Sequence, residues 1–250
     1  YFLCAMPRSG NTLFSSLMNQ NPDIAVTANS ITLEIMKELF LLKKKDVFQN
    51  FPDEQSLNNV MDEVYNLYYK NWNYKAIIDR GPVCTPGNLM VMQKHFKQPI
   101  RCVVLVRDLL DVLASYIKWF ENEPTAFPNQ FKTIDEKLSH IMHINGAVSK
   151  ELQSIQYLSQ HHDMAVFVKY DDLVTQPEKE LRKVYNFLNL PYYPHTFTNL
   201  NQLVVNGVQY NDSIVGKNMH TIRTEKVMKV ENKYKNKIPE RFVKEYGHIT

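Results

Sequence analysis

Near the start of the chain, Pro7-Arg8-Ser9-Gly10-Asn11-Thr12-Leu13 joins an apolar run, Tyr1 to Met6, to an amphipathic pattern that continues to Gln20. A strand, a short Pro/Ser/Gly turn and a helix start together make a cradle for an anion. The first turn of a helix carries unpaired N–H groups and a partial positive charge, glycine lets the backbone approach a ligand, and arginine adds a fork of donors. Set against G-x-x-x-x-G-K-[ST], the window Ala5 to Thr12 matches at Gly10 and Thr12, with Ala5 in place of the first glycine and Asn11 in place of the lysine. Without the lysine that reaches β- and γ-phosphates, the cradle suits a nucleotide's 5′-phosphate rather than triphosphate hydrolysis. The plainer alternative is an ordinary strand-turn-helix with a surface arginine.

A second segment, Arg101-Cys-Val-Val-Leu-Val-Arg-Asp-Leu-Leu-Asp-Val-Leu-Ala-Ser-Tyr, repeats the plan of strand, polar turn and helix. Arg107 stands at its strand's carboxyl end and Ser115 two turns into the helix. In parallel sheets ligands bind beyond the carboxyl ends of strands, where Arg8 and Arg107 both project. Two arginines there point to two anionic groups on one ligand; an ion pair of Arg107 with Asp108 or Asp111 is the competing reading.

The elements that must position these residues are legible as apolar strands, Tyr1 to Met6, Ile24 to Thr27, Ala76 to Asp79, Arg101 to Val106 and Met164 to Lys169, separated by helical patterns. The helices are predicted at Asn11–Gln20, Ile31–Phe48, Leu57–Tyr69, Gly87–Phe96, Leu109–Phe120, Ile134–His161 and Gln176–Leu188, the last with a capping box from Thr175 to Glu178 and Pro177 in its first turn. Short strands without alternation indicate a parallel sheet covered on both faces, hence a three-layer α/β domain with a P-loop-like nucleotide site. Tyr192 to His220 carries no regular pattern, and a Lys-rich helical end begins near Val227.

At 250 residues, 44% hydrophobic and 22% charged, the chain fits one domain over 1–250 and is neither disordered nor coiled-coil. The formal net charge of +3 divides into a −2 body and a +5 end over residues 217–250, which reads either as a solvated helix face or as an anion site. Cys4, Cys84 and Cys102 are odd in number and lack CxxC spacing, which fits a reducing, cytoplasmic setting. No window reaches the ~18 apolar residues of a membrane span. Tyr1 already lies inside a strand-like run, so the natural N-terminus is expected upstream.

The two arginine-bearing segments together resemble the sulfotransferase family, whose cofactor is 3′-phosphoadenosine 5′-phosphosulfate. Pro7 to Leu13 looks like the family's 5′-phosphosulfate loop, and Arg107 with Ser115, eight residues on, like its 3′-phosphate motif. Val168-Lys169-Tyr170-Asp171-Asp172-Leu173, followed by Pro177 and Phe187-Leu188, is similar to the strand-helix after the cofactor site. Met219-His220-Thr221-Ile222-Arg223 looks like the late basic loop that closes over the cofactor. The resemblance covers most of 1–190 and implies Arg8, Ser9, Gly10, Asn11, Thr12, Leu13, Arg107, Ser115, Tyr170, Arg223 and Lys217 as cofactor-binding residues. Arg80 would fill the place of a family Lys that steadies the bridging oxygen of the phosphosulfate.

The implied reaction is in-line sulfuryl transfer to a hydroxyl or amine of a small molecule, glycan or peptide, leaving adenosine 3′,5′-bisphosphate. It needs positioning and cationic stabilisation, and no metal. The tyrosylprotein and heparan-type relatives carry a catalytic Glu where this chain reads Ala25-Val26-Thr27-Ala28-Asn29-Ser30. The nearest acid is Glu34, whose competing reading is a solvent-facing helix residue; Asp79, His95 and His220 are other candidate bases. The aromatic run Tyr65 to Tyr74 suits either core packing or a sugar or aromatic acceptor, and Lys118 to Phe131 a covering loop. A nucleotide kinase, with Asp108 holding magnesium, and a noncatalytic cofactor binder are the alternatives. Nucleic acid is not an expected partner, because the lysines of 226–244 alternate with acids and lack interleaved aromatics.

Overall fold

The computed structural model describes residues 1–124, 130–200, 204–211, 226–229 and 233–249. A five-stranded parallel sheet runs in the order β2-β3-β1-β4-β5, built from β1 (Phe2–Ala5), β2 (Ile24–Val26), β3 (Ala76–Arg80), β4 (Cys102–Val106) and β5 (Ala165–Lys169). These are the five predicted strands. The central strand, β1, pairs Phe2 with Asp79 of β3 and with Cys102 of β4, which aligns the carboxyl ends of all three.

Burial on both faces explains why the strands do not alternate. Phe2 and Cys4 point into one apolar core, with Cys102, Val104 and the helices α5 (Pro86–His95) and α6 (Leu109–Asn122). Leu3 and Ala5 point into the other, with Phe14 and Leu17 of α1 (Asn11–Met18) and Leu181 and Val184 of α10 (Pro177–Leu188). The layers are therefore helix, sheet, helix, as the sequence predicts. α2 (Ile31–Leu42) and α4 (Glu54–Tyr68) pack on each other through Met36, Leu57 and Met61.

Several boundaries depart from the sequence reading. The predicted helix 31–48 ends at Leu42 and restarts as α3 (Asp46–Asn50) after the turn at Lys43-Lys44-Lys45, because Lys45 is extended. The predicted helix 134–161 is two helices, α7 (Ile134–Met142) and α8 (Ala147–Leu158). His143 leaves the helical region, and the chain folds back so closely that a Cβ on Gly146 would meet the Ile141 carbonyl oxygen. The Thr175–Glu178 capping box does not form: α9 (Tyr170–Thr175) precedes α10, and the Thr175 hydroxyl donates back to the Asp171 carbonyl. A capping box is instead present at Thr133 and Glu136. In the segment without a predicted pattern, Asn206-Gly207, both at positive φ, turns a two-residue hairpin, β6 (Val204–Val205) to β7 (Val208–Gln209).

Among its described residues the basic end forms a 3-10 turn and a short helix rather than one long helix. A 3-10 turn (Lys233–Lys237) and the short α11 (Glu240–Tyr246), started by Pro239, lie against α6, where Leu109 N–H donates to the Ile249 carbonyl. Lys235 reaches Asp108 and Asp111, Lys237 reaches Glu121, and Arg241 reaches Asp135. Lys229 is paired with Asp171. These four described cations of the end thus answer acids of the body.

Candidate active site

The turn after β1 is tight. Ser9 N–H donates to the Met6 carbonyl at 3.2 Å and the Asn11 side-chain amide donates to the same oxygen at 3.3 Å, so Asn11 faces inward instead of serving as a phosphate-reaching cation. Arg8 has φ 69 and Gly10 φ 90, two left-handed residues that turn the chain into α1. Gly10 caps α1 without a side-chain hydrogen bond, leaving the N–H groups of Asn11, Thr12 and Leu13 to the cradle. No side chain larger than hydrogen fits at Gly10, since a Cβ would stand 2.7 Å from Cδ2 of Tyr170.

The two arginine-bearing segments interlock. Arg8 Nε donates to Ser115 Oγ at 3.0 Å, and Arg107 donates to the Arg8 carbonyl at 2.6 Å. The guanidinium of Arg107 lies over the Tyr170 ring, 4.2 Å from its centroid, so one tyrosine at the end of β5 braces both Gly10 and Arg107. The competing reading of Arg107 as the partner of Asp108 or Asp111 gives way: Asp108 caps α6 at the Asp111 N–H, and both acids take Lys235. Ser9 Oγ and Arg107 Nε are buried donors without a partner among the described residues. With the uncapped N–H groups, they make a donor set that fits a doubly anionic nucleotide.

Arg80 ends β3 next to this cradle and donates to the Ala28 carbonyl at 3.0 Å. Beside it stands a residue the sequence reading missed, Glu151 of α8, buried at 9% exposure. Burial pushes its carboxyl up to about 8, against the pull of Arg80 and of the Ala5 N–H. The available signal was its helical phase, for Glu151 falls in the buried stripe of Val148, Ile155 and Leu158.

The candidate bases are placed apart. Glu34 is on the exposed face of α2, paired with Lys37 at 3.1 Å. Asp79 is buried and accepts hydrogen bonds from Thr27, Ser30 and Thr32; desolvation raises its pKa despite those donors. His95 is buried and clamps α5 to Asp62 of α4 at 2.7 Å. Arg223, Lys217 and His220 lie outside the described residues, as does part of the 118–131 segment. In the aromatic run the rings pack edge to face on one another, Tyr65 on Phe2 and Phe96, Tyr69 on Trp72.

Residues 1–194 match the model of the sulfotransferase family. The chain belongs to the sulfotransferase family. As a sulfotransferase it draws on 3′-phosphoadenosine 5′-phosphosulfate, with its acceptor still to be identified. Solved sulfotransferases share its fold at low identity. A sulfotransferase domain from the curacin biosynthetic pathway is 18% identical, with a TM-score of 0.54, over 100% of this chain and 90% of its own. The sulfotransferase domain of the Synechococcus PCC 7002 olefin synthase is 15% identical, with a TM-score of 0.56, over 97% and 93%. Mouse sulfotransferase SULT7A1, solved complexed with PAP, is 14% identical, with a TM-score of 0.56, over 99% and 82%. No curated protein sequence matches this sulfotransferase. Among the described residues no helix is long and apolar enough to cross a membrane.

Proposed function

We propose that the chain transfers a sulfuryl group to a hydroxyl or amine of a small molecule, glycan or peptide, using the cradle at the carboxyl ends of β1, β3 and β4. The bound 3′-phosphoadenosine 5′-phosphosulfate supplies the activated sulfuryl group. The N–H groups of Asn11, Thr12 and Leu13, with Ser9 and the Arg8 guanidinium, would hold its 5′ side, while Arg107 and Ser115 would hold the 3′-phosphate. Tyr170 keeps the two sets apart at a fixed spacing. Arg80 would offset the negative charge that grows on the leaving oxygen, where low dielectric strengthens each cation.

The observation that carries this reading is the interlock of Arg8 with Ser115 and of Arg107 with the Arg8 carbonyl, which joins two anion-binding motifs into one site. The inward-facing amide of Asn11 argues against the kinase alternative, which needs a lysine there. The test is thermal: adenosine 3′,5′-bisphosphate raises the melting temperature well above the shift given by equal ATP, through preferential binding to the folded state. Equal shifts, or none, overturn the proposal. Transfer of labelled sulfate to a panel of phenols, amines, glycans and tyrosine peptides then assigns the acceptor class.

A further inference from the structure

Glu151 is a titratable group on the buried face of its helix. Its neighbours in that stripe, Val148, Ser154, Ile155 and Leu158, are buried, and the stripe packs toward β1. The groups around its carboxyl come from three elements: Arg80 from the end of β3, Tyr116 from α6, and Cys4 and the Ala5 N–H from β1, while Arg8 also acts on Tyr116. The Oε2 atom is sealed from solvent and has no hydrogen-bond partner among the described residues. An ionised carboxylate in that setting lacks the partners that would repay its desolvation. Its sealed oxygen is also closed to an acceptor hydroxyl, which separates Glu151 from a general base.

We propose that Glu151 is a positioning residue that acts through Arg80, and that its proton couples to anion binding: with the proton on, Arg80 is free to hold the nucleotide, and with the proton off, the carboxylate competes for the same guanidinium. The inference rests on the proposed place of Arg80 at the phosphosulfate. An anion arriving at Arg80 cancels the attraction that favours the carboxylate, so the bound state keeps the proton to higher pH than the free protein. Nucleotide binding then takes up one proton from solvent above the free protein's titration, which burial sets at about 8. Cys4 and Tyr116 are themselves shifted upward, Cys4 by hydrogen bonding with Cys102 and Cys84 as well as burial, and Tyr116 by burial to about 12, so both hold their protons through this range.

Calorimetric titration of the intact chain with adenosine 3′,5′-bisphosphate, between pH 7 and 9.5 in two buffers of different ionisation enthalpy, tests the coupling. The nucleotide's own phosphates, with second pKa values near ~6, are silent there. The expected result is affinity nearly flat to pH 7.5, falling about tenfold per pH unit above about 8, with proton uptake rising toward one. E151Q is expected to bind with a flat profile and no uptake. A flat profile without uptake in the wild type overturns the inference by itself, and needs no variant. Uptake that persists in E151Q assigns it to another group and overturns it equally. Failure of the nucleotide to bind at any pH, by contrast, defeats the proposed cofactor site on which the inference stands.

Discussion

The guanidinium of Arg107 holds the backbone carbonyl of Arg8 at 2.6 Å across 99 residues of sequence. Arg107, proposed above to face the nucleotide, is thus also a brace on a left-handed residue, because Arg8 at φ 69 sits in a conformation that costs an L-residue roughly 1–2 kcal/mol. Removing the brace is expected to loosen the loop as well as to remove a charge.

Arg107→Ala is therefore expected to weaken adenosine 3′,5′-bisphosphate binding by roughly 1.5–3 kcal/mol, the range for losing a charge-assisted hydrogen bond. Arg107→Lys should recover less than half of that loss, since a lysine cannot both reach the Arg8 carbonyl and lie flat on Tyr170. Full recovery in the lysine variant, measured by calorimetry, would contradict the bracing role.

Gly10→Ala combines two penalties, a positive φ of 90 and a Cβ placed 2.7 Å from the Tyr170 ring. It is expected to destabilise the fold by about 1–2 kcal/mol from backbone strain and to abolish measurable nucleotide binding. Adding Tyr170→Ala relieves the clash but leaves the strain, so a double-mutant cycle should show a favourable coupling in stability. Purely additive effects in urea melts would place the ring elsewhere.

Stability should fall as pH rises between the ordinary carboxylate range and about 8, because Glu151 keeps its proton in the folded state while the unfolded chain gives it up from about 4.5. The folded state binds more protons throughout that window, so the slope is negative; Asp79, also raised by burial, adds in the same direction at its lower end. Glu151→Gln is expected to flatten the slope and to raise the melting temperature at pH 8. An unchanged pH profile in that variant would refute the assignment.

Asp79 should prove structural. Asp79→Ala strands the hydroxyls of Thr27, Ser30 and Thr32 without their acceptor and is expected to cost roughly 2–5 kcal/mol of stability. Sulfuryl transfer at low temperature should then track the folded fraction. A well-folded variant with no transfer would restore Asp79 as a candidate base.

The charge-based hold on the C-terminal end should weaken in salt. Lys235 bridges Asp108 and Asp111 at 3.3 and 3.0 Å, and Lys237 and Arg241 add pairs to Glu121 and Asp135. Exposed pairs are each worth little and are screened at 1 M salt. Lys235→Ala is expected to lower stability by about 0.3–1 kcal/mol at low ionic strength and by less at 1 M sodium chloride. Equal losses at both would show that packing, and not charge, holds the end.

What could be read from the sequence was local. Each strand is buried on both faces, so each declares itself as a short apolar run, and the cradle is continuous from Tyr1 to Leu13. The pairing of Arg8 with Ser115 was not readable, because the motif spacing relates Ser115 to Arg107 and only the sheet order brings β1 against β4. Glu151 hid for a related reason. A glutamate in a helix reads as solvated unless the helix's phase against the core is known, and treating 134–161 as one helix concealed the break at Gly146 that sets this phase. Asn206-Gly207 was a turn signal in plain sight, masked by strands only two residues long. The positive C-terminal end could be counted, but its partners on α6 and α7 lie more than a hundred residues away.

The sheet order has one more consequence, for the life of the chain before it is folded. Arg8 waits 107 residues for Ser115, and Tyr170 arrives later still. Parallel strands close long loops before their contacts reward them, which makes such assembly slow. A nascent chain that has emerged only through β3 owns the cradle's sequence but none of its cross-bracing. If the proposed cradle holds the nucleotide, capture is expected only once synthesis and sheet assembly have passed β5, which would make the nucleotide a late stabiliser of the finished domain.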